Sequence, residues 1–129
     1  MAHFETFEEV EIYQLARVQC RKIWHIIITT SLQKDYKLRD QIYGSSGSVM
    51  DNIAEGFGRG GNKEFIQFLS YSRGSNNETK AQLQRCLDRN HISEETFKAL
   101  YRESEIVNEQ ISKFMNYLKK SDRKGFKYE

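Results

Sequence analysis

The stretch NIAEGFGRGGNKEF, residues 52–65, decides the fold, because two incompatible readings pass through it. Taken literally, Gly56, Gly58 and Gly61 spell G-x-G-x-x-G, the turn that lays a dinucleotide pyrophosphate on a helix N-terminus. That loop requires a strand before it and an acidic residue closing a βαβ unit after it. Upstream, however, Leu38, Ile42, Val49, Ile53 and Phe57 are spaced four and seven apart, a helical period and not a strand's alternation. No G-K-[ST] follows, so a phosphate-loop NTPase is excluded as well. Glycines 56 to 61 are expected to bend the backbone from one helix into the next and to hold no nucleotide.

Outward from that corner the same period recurs. The first helix is expected over about 7–30, opened by a Thr6/Glu9 capping box, with Tyr13, Ala16, Cys20, Ile23 and Ile27 inward. The second spans about 37–58, with the small residues Ser45 to Ser48 in its middle. The third spans about 63–88 behind an Asn62 N-cap, with Phe65, Phe68, Leu69, Ser72, Thr79, Leu83 and Cys86 inward. In both, the small residues, including Gly74, imply close approach of a neighbouring backbone. Asn90 suits a left-handed turn, Ser93 caps the next helix and Ile92 can staple onto Phe97. The fourth, about 94–118, alternates three and four through Phe97, Leu100, Ser104, Val107, Ile111, Phe114 and Leu118. These readings predict an all-α, antiparallel up-down-up-down four-helix bundle over 1–118, followed by a basic mobile tail over 119–129. Zero proline and 29% charged residues fit long amphipathic helices. One domain of 129 residues needs no staple.

Chemistry is sparser. His3, His25 and His91 share no metal-ligand spacing, and no serine has an evident histidine and acid partner, so neither a metal site, a cofactor nor a catalytic group is expected. Cys20 and Cys86 fall on apolar stripes as inert thiols. The run Ile23 to Ile28 is too short to cross a bilayer, and the acidic N-terminus is unlike a secretory signal, which predicts a cytoplasmic protein with no membrane partner. Ser48, Asn52, Glu55 and Arg59 share a polar stripe, and a cross-helix Glu55–Arg73 pair is expected to lock the second helix to the third. A hydrolase resting on Glu55 and Glu78 is a weaker reading. The net charge of +2 conceals an asymmetry: Glu5, Glu8, Glu9 and Glu11 open the chain, and Lys113, Lys119, Lys120, Arg123, Lys124 and Lys127 crowd its end. Arg59, Lys63, Arg73, Lys119, Lys120, Arg123, Lys124 and Lys127 are the candidate nucleic-acid contacts. Tyr36, Tyr43, Tyr71 and Tyr117, with Phe126 and Tyr128, are candidate exposed aromatics, for base stacking or for a subunit contact.

FEEVEIYQLA (7–16), LRDQIYGSSGSVMDNIAEGFGRGGNKEFIQFLSYSRGS (38–75) and the NNETKAQL that follows resemble the small four-helix proteins encoded in intervening sequences of bacterial 23S rRNA genes. They are also similar to the accessory variability protein of diversity-generating retroelements. The resemblance implies a homo-oligomeric ring, a pentamer, and makes Asn52, Glu55, Gly56, Arg59, Arg73, Gly74 and Glu78 motif positions, while the absence of a catalytic group makes the expected bundle non-enzymatic. The pattern is broken at Met50 and across GSSGS (44–48). The resulting expectation is a bundle that binds RNA or DNA through basic patches. The alternative is a protein-interaction scaffold or accessory subunit for a nucleic-acid enzyme such as a reverse transcriptase.

Overall fold

The computed structural model describes residues 4–121. These contain four helices, α1 (Glu11–Thr29), α2 (Tyr36–Arg59), α3 (Asn62–Asp88) and α4 (Glu94–Lys120), with single 3-10 turns at Phe7–Glu9 and Ser31–Lys34 and, among the described residues, no strand. None of the helices is long and apolar enough to cross a membrane. The tail residues Arg123, Lys124, Phe126, Lys127 and Tyr128, and His3, lie outside the described residues.

Helix ends depart from expectation where backbone geometry outweighs side-chain pattern. Glu9 accepts from the Glu5 and Thr6 N–H groups at 2.7 and 3.4 Å, but the turn it starts lasts only to Glu9. α1 begins afresh at Glu11 behind Val10. Gly56 and Gly58 sit inside α2, so the bend is narrower than glycines 56 to 61. Only Gly60, at φ 87°, takes the left-handed conformation that stops the helix. Gly61 occupies the N-cap of α3, which moves Asn62 into the helix, where its buried side chain donates to the Leu118 carbonyl at 3.3 Å. Asn90 does turn left-handed, at φ 60°, and Ser93 Oγ does accept from the Thr96 N–H.

The interior divides into three layers. One apolar cluster joins Val10, Ile12 and Ala16 to Val49, Ile53, Phe57, Phe65, Leu69, Val107, Ile111, Met115 and Leu118. A second joins Ile23, Ile26 and Ile27 to Leu32, Leu38, Ile42, Leu83, Cys86, Ile92 and Leu100. Each fully buried aliphatic side chain contributes about 1.5–3 kcal/mol. Between the clusters every helix supplies a buried polar group. Gln19 Nε2 donates to Ser104 Oγ, and Asn76 Nδ2 donates to the Ser104 carbonyl at 2.7 Å. Ser45 Oγ meets Thr79 Oγ1 at 2.8 Å and donates to Gln82 Oε1 at 2.6 Å, while Ser72 Oγ donates to the Val49 carbonyl at 2.8 Å. Sliding any helix by a turn would press these groups against methyl groups, at the full cost of desolvating an unpaired polar atom, so the layer sets the register.

This layer corrects the inference from small residues. Ser45 and Ser46 are buried for their hydroxyls. Gly44, Gly47, Gly58 and Gly74 have nothing within 4 Å of where a Cβ would stand. Among the helical glycines described, close approach within the subunit happens at Gly56, whose Cβ would lie 2.8 Å from Phe68 Cβ and 2.9 Å from Phe65 Cδ1.

Candidate functional site

The α2–α3 corner and the last turn of α4 converge. Asn62 follows the corner and bonds the Leu118 carbonyl, so Arg59 and Lys63 from the corner share one end with Lys119 and Lys120. All four cations are exposed. Lys63, Lys119 and Lys120 have no acid within ion-pair distance among the described residues, whereas Arg59 Nε holds Glu55 at 3.1 Å and its guanidinium lies 5.0 Å above the Phe68 ring. Beneath them Phe65 makes edge contacts with Phe57 and Phe114, and Phe114 stacks on Tyr117. The acidic N-terminal segment reaches the same helix: Phe4, Val10 and Glu11 share a cleft with Lys113 and Phe114. Negative charge therefore flanks Lys113, and the clear cationic path runs from Arg59 and Lys63 to Lys119 and Lys120.

Other expected residues disperse. Glu55 pairs with Arg59 and not with Arg73. Arg73 Nη1 donates instead to Ser112 Oγ at 3.0 Å, half-buried between α3 and α4, because the next helix offers an acceptor closer to its own face. It does not join the basic end. Asn52 Nδ2 bonds the Ser48 carbonyl within its own helix at 2.8 Å. Glu78 and Gly74 are exposed on α3. Gly56 packs on Phe65 and Phe68, so Glu55 lies level with that turn. Glu78 stands about ten residues further along α3, roughly 15 Å away, which leaves no carboxylate pair.

Sequence reasoning missed two groupings. At the other end, Asp35 Oδ2 receives His91 Nε2 and Arg89 Nη1, each at 2.8 Å, and His91 Nδ1 meets Ser31 Oγ at 2.6 Å. Hydrogen bonds from His91 and then Arg89 hold the Asp35 carboxyl down at about 2, from an ordinary 3.8. A serine, a histidine and an acid thus do meet, contrary to expectation. The ring nitrogens are exchanged relative to a hydrolytic triad, in which the acid takes Nδ1 and the serine Nε2, and Arg89 takes the same carboxylate oxygen. What this arrangement does is fasten the α1–α2 connection to the α3–α4 connection. Sequence separations of 54 to 60 residues hid it.

The second grouping is an open groove between α1 and α2 around Trp24 and Tyr43. Cys20 lines it, half-buried, where burial raises the thiol above its ordinary value. Cys86 is fully buried and pushed up to about 11 by the same cause. Neither thiol is activated. Tyr36, Tyr43 and Tyr71 are exposed as expected, and Trp24, half exposed, joins them.

Among solved structures, the chain is similar to the 1.70 Å crystal structure of a protein of unknown function from the S23 ribosomal protein family of Bacteroides thetaiotaomicron. The TM-score is 0.73 at 20% identity, over 81% of this chain and 97% of that one, which is a likeness of fold. No curated protein matches the chain. The family model described as 23S rRNA-intervening sequence protein matches residues 8–113. A match of that extent settles the lineage of the sequence: the chain belongs to the 23S rRNA-intervening sequence protein family.

Proposed function

We propose that the chain is a non-enzymatic, cytoplasmic up-down-up-down bundle that assembles into a homo-oligomeric ring, a pentamer, and binds nucleic acid. The observation that carries the binding is the gathering of Arg59, Lys63, Lys119 and Lys120 at one end, three of them without an acid partner among the described residues. In sequence, Arg123, Lys124 and Lys127 follow within seven residues of Lys120, against Asp122. The family's name makes RNA the first polyanion to try. Self-association is supported by the helical glycines Gly44, Gly47, Gly58 and Gly74, which lower helix stability by up to about 1 kcal/mol each and have open space beside them. A neighbouring subunit's helix would fill that space. Repetition around an axis would then multiply a modest monomer charge into a strong local field.

The test is RNA binding as a function of salt. Affinity should fall with a log-log slope of about −0.7 to −0.9 per phosphate neutralised, and Lys119→Glu with Lys120→Glu should flatten that slope. Absence of binding at low salt removes the reading. Retention of one dominant protein after nuclease treatment would replace it with a scaffold for a partner enzyme. Light scattering decides the ring, which a monomer at micromolar concentration would rule out.

A further inference from the structure

The groove between α1 and α2 has the makings of a second nucleic-acid contact. Arg17, Cys20, Arg21, Trp24, Tyr43 and Met50 line its main hollow of about 350 Å³. Past the Trp24–Tyr43 pair it continues into another of about 260 Å³ that reaches Arg39. Trp24 is 50% exposed and Tyr43 61%, with ring centroids 5.8 Å apart and planes tilted by 56°. Arg17 and Arg21 stand one helical turn apart on α1, exposed, with no acid within ion-pair distance among the described residues. Arg39 is different: it pairs with Asp40 and lies 5.0 Å over the Tyr36 ring.

We propose that this groove binds a single-stranded segment of nucleic acid, a base stacking on Trp24 or Tyr43 and the adjoining phosphates lying on Arg17 and Arg21. The inference rests on the nucleic-acid reading above but assigns a different surface. Interleaved cations and aromatic rings are what sequence-tolerant strand binding requires, since every base has a π-face and every linkage a charge. A second copy of the chain is the other occupant to weigh. Interfaces between copies also collect Trp, Tyr, Met and Arg, but a second copy would have to bury Arg17 and Arg21 together, and a buried guanidinium without a carboxylate partner is costly, whereas a phosphate backbone supplies the missing anion. Asp40 is already paired, and Asp51, exposed on α2 and close enough to act on Cys20, opposes phosphate along that side. The backbone of the strand therefore runs along α1.

Trp24 is the only tryptophan of the chain, so its emission reports on this groove alone. The experiment titrates the full chain with oligothymidylate and with oligouridylate at low salt, following tryptophan emission, and follows labelled oligonucleotide anisotropy in parallel. Saturable quenching is expected. Tyr43→Ala should weaken binding about ten- to a hundredfold. Arg17→Gln with Arg21→Gln should reduce the salt slope by about 1.5. All three sites are exposed, and circular dichroism should show unchanged helix content. Binding by anisotropy with unchanged emission, sensitive to Lys119→Glu but not to Tyr43→Ala, overturns the groove and leaves the basic end standing. No binding by either readout overturns both. An emission shift that depends on protein concentration without oligonucleotide, and that disappears in Arg17→Gln with Arg21→Gln, makes the groove a contact between copies and also overturns the proposal.

Discussion

The two ends of the bundle use charge in opposite ways. Where the Ser31–Lys34 turn meets the connection between α3 and α4, Asp35 gathers Arg89 and His91, His91 holds Ser31, and Arg39 Nη1 bonds the Gln33 carbonyl. The charges of Asp35, Arg89 and His91 are consumed in joining one connection to another, while Lys34 and Lys37 beside them stay exposed. At the opposite end the joint is made by Gly60, by Asn62 on the Leu118 carbonyl and by the rings of Phe57, Phe65 and Phe114. There Lys63, Lys119 and Lys120 stay in water. Charges that fasten one connection to another are not available to a ligand, whereas an end fastened by rings and a glycine turn needs none of its cations for the joint. The contrast can be broken at either end.

The largest effect is expected from Phe65→Ala. This side chain is 1% exposed, fills the apolar cluster and contacts two other rings, so its loss should cost about 3–5 kcal/mol in urea denaturation. A cost below about 1 kcal/mol would mean that the rings do not hold this end. Next in size is Gly56→Ala. The added methyl would meet Phe68 Cβ, which is anchored to the α3 backbone and cannot swing aside, and overpacking of this kind costs about 1–3 kcal/mol. Gly58→Ala, two residues on, should do the reverse and stabilise an isolated subunit by up to about 1 kcal/mol. If it also weakens self-association in light scattering, a neighbouring subunit occupies that space. Equal signs for Gly56→Ala and Gly58→Ala would refute the close approach at Gly56.

Much of the core is legible in the chain. Val49, Ile53 and Phe57, and Leu100, Val107, Ile111 and Leu118, are buried where a 3.6-residue period puts them. The G-x-G-x-x-G string lies across a helix end, as the absence of a strand pattern before it requires. Illegible features share one cause: they depend on partners distant in sequence. Gln19, Asn76 and Gln82 carry no local mark of burial, because their hydrogen-bond partners sit on other helices. Facing helices make Arg73 a plausible-looking mate for Glu55 in sequence, but Arg59 is one turn from Glu55 and reaches it without crossing. Trp24 lies within the apolar run Ile23 to Ile28, which hides that it faces outward, one residue past fully buried Ile23. Arg123, Lys124 and Lys127 lie outside the described residues, so the cationic end is built on its four helical members.

The smallest effect belongs to the ionic end, where water screens the charges, and it is read from pH and not from a single stability value. Asp35 titrates at about 2 in the folded chain, below its ordinary 3.8. The unfolded chain therefore binds the additional proton first as the solution is acidified, so stability due to this group is present above about pH 4 and is lost as pH falls toward 2. Asp35→Asn cannot titrate, and the difference between wild-type and variant stability should shrink across that window. Because the hydrogen bond from His91 is the larger cause and that from Arg89 the second, Arg89→Gln should narrow the window without closing it. Lys119→Glu should leave that contribution of Asp35 unchanged, since the two groups are at opposite ends. Urea denaturation of the four proteins from pH 5 to pH 2 makes the comparison. An Asp35→Asn curve that parallels wild type would show that the corner is joined by shape alone, and the distinction between an ionic end and a free one would fail.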